Sequence, residues 1–287
     1  MTSDEWFARL RKLKHAVDSD QGGVRTGLRP SRILGVSFDF SDYRPYEAGD
    51  DIRQIDWNVY GRTDKFYIKR YFDERERSIS IYLDCSASMR VLEKKWETAR
   101  ILAASFSFIA LSGDDRLTFV PVGFLISGPF RLKGIANAKP AFQRIVQLGS
   151  EGAGGGFAES LERSFSKTSD VAILISDGME PLDRLSVLFR RIAPFSGTTR
   201  FLQLLSEEES EVFMRGDFRF VDSETFYAVE VSVSDRTAAS YKKRLREHNE
   251  GIIRLCRQYG FSYLRARAEE DVRSILFGAC KRNGWLE

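Results

Sequence analysis

Apolar positions along this chain recur in two rhythms, and from residue 78 onward the two alternate. Residues 78–83 read as a strand that ends at Asp84. A helix follows with Leu92, Trp96, Ala99, Ala103, Phe106 and Ala110 in steps of four and three, which makes one apolar stripe. Gly113 stands where a helix C-cap belongs. Residues 116–122 predict a second strand and residues 136–148 a second helix. The run Val171-Ala172-Ile173-Leu174-Ile175 is continuously apolar, the mark of a strand covered on both faces. It passes into Ser176-Asp177-Gly178, and Pro181 suits the first position of the next helix. A strand over 200–205, a hairpin over 218–231, a helix over 238–259, a strand near Ser262 and a C-terminal helix complete the series. Alternation of this kind builds a doubly wound, mostly parallel α/β sheet with helices on both faces.

The first 77 residues read differently. Trp6, Leu10, Leu13 and Val17 are helically spaced and predict a helix over 4–17. A link with Gly, Arg and Ser covers 21–32. Residues 35–76 are rich in aromatics and paired charges, with a strand over 65–72. The predicted organisation is an N-terminal helix and link (1–30), a segment packed on the main domain (31–77) and the α/β domain itself (78–287).

Composition narrows the classes of function. The chain has 287 residues, 43% of them hydrophobic and 30% charged, which suits a globular protein with a substantial core. The formal net charge is only +3, and the charges are interspersed, so a nucleic-acid partner is not expected. The three cysteines, Cys85, Cys256 and Cys280, form no spaced framework, as expected in a reducing compartment. The acidic N-terminus lacks the apolar core of a secretory signal. The longest mostly apolar stretch, residues 101–111, is shorter than the roughly 18–20 residues that span a bilayer. A cytoplasmic protein without a membrane span is the expectation.

Ligands of a doubly wound sheet bind at the carboxyl ends of its strands. Asp84 and Asp177 each fall directly after a buried strand. Asp84-Cys85-Ser86-Ala87-Ser88 is an Asp-x-Ser-x-Ser sequence at a strand-to-helix turn, where alternate residues can aim a carboxylate and two hydroxyls at one point. Asp84, Ser86, Ser88 and Asp177 are the candidate metal ligands. Oxygen-only donors suit a hard cation, Mg²⁺ or Mn²⁺. Neutral hydroxyls would leave much of its charge unanswered and give it reason to recruit an acidic side chain from a partner.

At these residues the chain resembles a known family. Asp-x-Ser-x-Ser after one strand, with Asp-Gly after a later one, is the metal-ion-dependent adhesion site pattern of von Willebrand factor A domains. The stretch Tyr43-Arg44-Pro45-Tyr46-Glu47-Ala48-Gly49-Asp50-Asp51-Ile52-Arg53-Gln54-Ile55-Asp56-Trp57 resembles the signature of bacterial domain-of-unknown-function family fifty-eight, and Arg62-Thr63 and Phe72 to Arg77 continue it. The resemblance implies a von Willebrand factor A-like fold with an N-terminal helical/β extension. It also implies a partner, a MoxR-type AAA+ ATPase, with a client protein as a second one, in complex assembly or maturation. In one place the chain departs from the pattern. The adhesion site also takes a threonine from a middle loop, and that position falls here at Gly155 or Gly156. Two readings therefore stand side by side: an occupied Mg²⁺ or Mn²⁺ site, and a metal-free hydrogen-bonded turn with Ser86 or Ser88 capping the next helix.

Other features carry less. Residues 152–156 form a glycine-rich loop, but no Gly-Lys-Ser/Thr follows, so no nucleotide is expected. His15 is isolated on the N-terminal helix, and His248 lies in the stripe Tyr241, Leu245, His248, Ile252, Leu255, Tyr259, a packed or partly exposed position. Ser86 and Ser88 are not in a nucleophile elbow. The charge of Asp84 should raise the Cys85 thiol pKa. Arg53, Asp56 and Trp57 read as structural, an ion pair and an aromatic anchor. A binding protein is expected rather than an enzyme. A metal-free scaffold of the same fold, and a metal-dependent phosphoester hydrolase without an evident general base, are the alternatives.

Overall fold

In the computed structural model the described residues are 3–16, 40–47, 50–71, 77–124, 128–149, 156–165, 169–211, 216–221 and 228–287. The chain divides into two units, one of Met1–Gly22 with Arg77–Glu287 and one of Gly23–Glu76. The predicted link over 21–32 and most of the glycine loop lie outside the described residues.

Helix α1 (Ser3–Leu10) ends well before the boundary its apolar spacing predicts. The reason lies at the other end of the sequence. Residues 13–16 run extended to pair with the C-terminus: the Lys14 and Glu287 N–H groups donate to each other's carbonyls at 3.3 and 3.0 Å, and Ala16 N–H donates to the Trp285 carbonyl at 3.1 Å. Each backbone group can serve a helix or a bridge but not both, and burial of Leu13, Trp285 and Leu286 favours the bridge. His15 is therefore not on a helix. It is buried opposite Leu286, and its Nε2–H donates to the Phe106 carbonyl at 3.0 Å. Two guanidiniums close the junction. Arg77 donates to the His15 carbonyl at 2.6 Å, and Arg200 to the carbonyls of Trp285, at 2.6 Å, and Ala16.

In the smaller unit, β1 (Phe40–Pro45) and β2 (Tyr67–Tyr71) form an antiparallel ribbon, with α2 (Trp57–Thr63) between them in sequence. Asp56 is buried, caps α2 by accepting from the Asn58 and Val59 N–H groups, and accepts the Tyr43 hydroxyl at 2.9 Å. Among the described residues of this segment Arg44 and Asp50 form an ion pair through two parallel bonds of 2.7 and 2.6 Å, and Arg53 is exposed. Trp57, the first residue of α2, is 59% exposed and meets Tyr60 and Phe66 edge to face.

In the larger unit β3 (Ser78–Asp84) leads through the short α3 (Ala87–Arg90) into α4 (Glu93–Ser112). Next come β4 (Arg116–Val122), β5 (Phe130–Lys133), α5 (Ala138–Val146), α6 (Phe157–Ser164), β6 (Ser169–Ser176), α7 (Leu182–Ile192) and β7 (Ser196–Leu205). The series ends with α8 (Glu207–Ser210), the hairpin β8 (Gly216–Val221) and β9 (Ala228–Val233), α9 (Asp235–Gln258), β10 (Ser262–Arg267) and a helical segment, Ser274–Cys280. Six strands form one sheet in the order β10-β7-β6-β3-β4-β5, parallel throughout except at the edge strand β5. It is a mixed α/β fold with a central, mostly parallel sheet flanked by helices, as the strand–helix alternation predicts.

Side-chain alternation explains the continuous apolar runs. Ile79, Ile81 and Leu83 of β3 and Val171, Ile173 and Ile175 of β6 join the core cluster that includes α4 and α5. Tyr82, Ala172 and Leu174 join the opposite cluster, with α6, α7 and Ile252 of α9. The predicted stripe of α4 underestimates that helix. Lys95, Thr98, Ser105 and Ser107 are also buried, and the two serines return their hydroxyl protons to the carbonyls of Ile101 and Ala103. Gly113 caps α4 with a negative φ, and the left-handed residue is Asp114. No helix among the described residues is long and apolar enough to cross a membrane.

Burial pushes His15 down to about 3, and the charges of Arg200 and Arg77 push the same way against the Phe106 carbonyl. The unfolded chain binds this proton below about pH 6.5 and the native chain does not, so stability is lost as pH falls through that window. At pH 5 the loss is about 2 kcal/mol. His15→Gln keeps an N–H for the carbonyl and cannot titrate. Urea unfolding at pH 7.5 and pH 5 should therefore show a smaller acid loss in the variant by about that amount; equal losses would refute the assignment.

Candidate functional site

Strands β3 and β4 wind away from β6, β7 and β10, so the sheet changes direction between β3 and β6. A crevice opens at such a switch point. Leu83 pairs with Ile175, which brings Asp84 and Ser176 side by side, and the Ser176 hydroxyl donates to Asp84 Oδ2 at 2.6 Å. Asp84 Oδ1 accepts the Ser86 N–H at 2.8 Å, a local turn that starts α3. Ser86 stands at the N-cap but makes no capping bond with its side chain; its hydroxyl meets that of Ser88 at 3.0 Å. The predicted cap is replaced by a hydroxyl pair, with Ser86 buried and Ser88 half-buried.

Asp177 follows β6, and its Oδ1 accepts the Met179 N–H at 3.0 Å. The turn requires a glycine next. Gly178 has φ +68°, and a Cβ there would stand 2.9 Å from Ile252 Cδ1. The loop is held from below by a buried polar network. Gln203 Nε2 donates to the Asp177 carbonyl at 2.8 Å and to Asn249 Oδ1 at 2.9 Å, while the Tyr263 hydroxyl donates to Gln203 Oε1 at 2.6 Å. His248 Nε2 lies 2.8 Å from the Gly178 carbonyl, so this half-buried histidine tethers the turn.

Two residues that sequence reasoning missed complete the site. Lys95, in the first turn of α4, is fully buried. Its ammonium donates to Asp177 Oδ2 at 2.9 Å, Glu209 Oε1 at 2.5 Å and the Ser88 carbonyl at 3.1 Å. Glu209 belongs to α8, directly beyond β7. Its other oxygen accepts the Ser206 N–H at 2.8 Å while Ser206 caps the Glu209 N–H, a reciprocal capping box. The Ser-x-x-Glu spacing after a predicted strand was a readable signal for Glu209. Lys95 had none, since a lysine one position before a stripe residue reads as solvent-facing.

Electrostatics follow the geometry. Burial pushes Asp84 up to about 7, and the charge of Asp177 adds to it, against the hydrogen bonds from Ser176 and Ser86. Burial works against the Lys95 charge, but Asp177 and Glu209 outweigh it and hold the ammonium above its ordinary value. Cys85 is driven well up by burial first and by Asp84 second, which leaves an inert thiol; all three cysteines are free and buried.

The four expected residues thus come together, and their oxygens are of the hard kind that Mg²⁺ or Mn²⁺ takes. As folded, however, they do not fit a dication. Both Asp84 oxygens accept protein donors, the two hydroxyls pair with each other, and an ammonium holds Asp177. Among the described residues no three acidic, histidine or cysteine side chains group as a metal cluster. At the expected threonine position, Gly156 stands as the N-cap of α6, and Gly155 lies outside the described residues. Glu180 fills the space beside Gly156 and accepts the Ala158 N–H at 2.8 Å.

Comparison with known proteins adds a family and distant relatives. The family model described as "Protein of unknown function DUF58" matches residues 42–251. The uncharacterized proteins Rv1480 of Mycobacterium tuberculosis and Mb1516 of Mycobacterium bovis are each 25% identical over 289 residues, covering 97% of this chain and 90% of their own. Among solved structures, an aerotolerance-related membrane protein from Bacteroides fragilis is 13% identical, covers 72% of this chain and 98% of its own, and has a TM-score of 0.41.

A methyl group on Gly156 would stand 2.8 Å from Glu180 Oε1. Gly156→Ala should therefore displace the carboxylate from the Ala158 N–H and cost about 1 kcal/mol in denaturant unfolding. In a Glu180→Ala background most of that cost should vanish. The same cost in both backgrounds would show that Glu180 does not fill the space.

Proposed function

The chain belongs to the DUF58 family, and from that premise and the geometry of the crevice we propose a protein-interaction module of von Willebrand factor A-like architecture, not an enzyme. One observation carries this reading. Asp84, Ser86, Ser88 and Asp177 converge at the switch point, where the two hydroxyls stand 3.0 Å from each other. A serine nucleophile needs a general base within hydrogen-bond reach. A paired hydroxyl at the crevice is instead suited to donate to a carboxylate or amide of a docking partner.

The partner class comes from the resemblance of residues 43–57 and of the Asp84–Ser88 turn to MoxR-associated proteins: an AAA+ ATPase in the cytoplasm, with a client protein as the second ligand. Complex assembly or maturation is the corresponding role. A second reading is favoured by the burial of the site, since Asp84 is 1% exposed. It is a scaffold of the same fold that docks through another surface.

Binding of the purified chain to the MoxR-type ATPase of the same organism, with and without ATP, tests both. Ser86→Ala/Ser88→Ala should weaken the complex about tenfold, the equivalent of one good hydrogen bond to a charged group. Its circular dichroism should be unchanged. Undiminished binding by the double variant would select the scaffold, and no binding by the wild-type chain would reject the partner.

A further inference from the structure

We propose that the Lys95 ammonium serves this site in place of a divalent ion, joining the loops after β3, β6 and β7 and holding Asp177, one of the four expected metal ligands. The inference rests on the docking reading of the crevice, but its test needs no partner.

A lysine is almost never fully buried unless its charge is answered. Lys95 is 0% exposed, and its three N–H donors meet three acceptors, from 2.5 to 3.1 Å away. Each acceptor comes from a different strand end: the Ser88 carbonyl follows β3, Asp177 follows β6, and Glu209 follows β7. A dication collects oxygens from separate loops in the same way. The ammonium does so with a charge that is covalently part of the chain, so dilution or a chelator cannot remove it. It also accounts for the glycine at the expected threonine position, since no further oxygen is needed to complete a coordination shell.

Charge explains why the two cations exclude each other. Asp177 and Glu209 are already engaged by the one ammonium, at 2.9 and 2.5 Å. A dication there would face the Lys95 charge across a few ångströms of low dielectric, where repulsion is strong. Removal of the ammonium would instead leave the Asp177 and Glu209 carboxylates and the Ser88 carbonyl, the three oxygens it now collects, as hard donors open to a metal.

Thermal unfolding and calorimetric titration of the full chain with Mg²⁺ and Mn²⁺, after dialysis against EDTA, test the proposal. The wild type should give no saturable heat and the same midpoint in EDTA, Mg²⁺ and Mn²⁺. Lys95→Met should unfold lower by on the order of 10 °C, as when one partner of a buried pair is lost, and Mn²⁺ should raise its midpoint in a saturable way. A wild-type midpoint that rises with Mn²⁺, or a Lys95→Met midpoint that does not, overturns it. Should Lys95→Met fail to fold, Lys95→Met/Asp177→Asn removes the orphaned carboxylate together with the ammonium. Folding of the double variant where the single one fails is the expected result; failure of both overturns the pairing. A metal-responsive wild type would leave the docking reading standing, because that reading is measured separately through Ser86 and Ser88.

Discussion

A charge taken out of water has to be answered where it lies, and in this protein that requirement falls on Lys95. Its ammonium has no solvent, so Asp177, Glu209 and the Ser88 carbonyl must approach from three directions and stay there. The same demand disciplines the chain around it. The Asp177 loop turns on a left-handed glycine and is held from beneath by Gln203, while Glu209 is fixed by its own capping box with Ser206. A loosely held carboxylate would leave the ammonium partly unanswered, and the cost would be large.

The sheet makes such a meeting geometrically ordinary. Strands buried on both faces are apolar along their length, so polar chemistry collects at their ends. At the reversal between β3 and β6 the ends diverge and leave room for side chains. Asp84 arrives there because Leu83 pairs with Ile175, and Glu209 arrives because β7 neighbours β6. The site is therefore a consequence of strand order.

At the chain termini, too, long-range pairing overrode a local preference. Helical spacing from Trp6 to Val17 is genuine, yet residues 13–16 are drawn off to pair with the C-terminus, and Arg77 and Arg200 close the junction through backbone carbonyls. His15 becomes a buried neutral ring instead of a helix residue. In the smaller unit Asp56 behaves as its motif suggests, as a structural residue; Arg44 and Asp50 form an ion pair, and Trp57 is largely exposed. Spacing alone cannot show which of several nearby charges will pair.

Periodicity by itself determined the strand–helix alternation, the parallel core strands and the placement of Asp84 and Asp177 at strand ends, because these depend on which neighbours along the chain are apolar. The Ser86–Ser88 turn was legible for the same reason: its bonds span two residues. Only the tertiary structure decided that a lysine from the first turn of α4 would enter the site and that Glu209, 114 positions further along, would meet it. Only the fold could decide, likewise, that Glu180 would occupy the space beside Gly156. Local pattern records what a residue prefers; the charge it finally faces is set by strand order and burial, which join positions that no spacing rule connects.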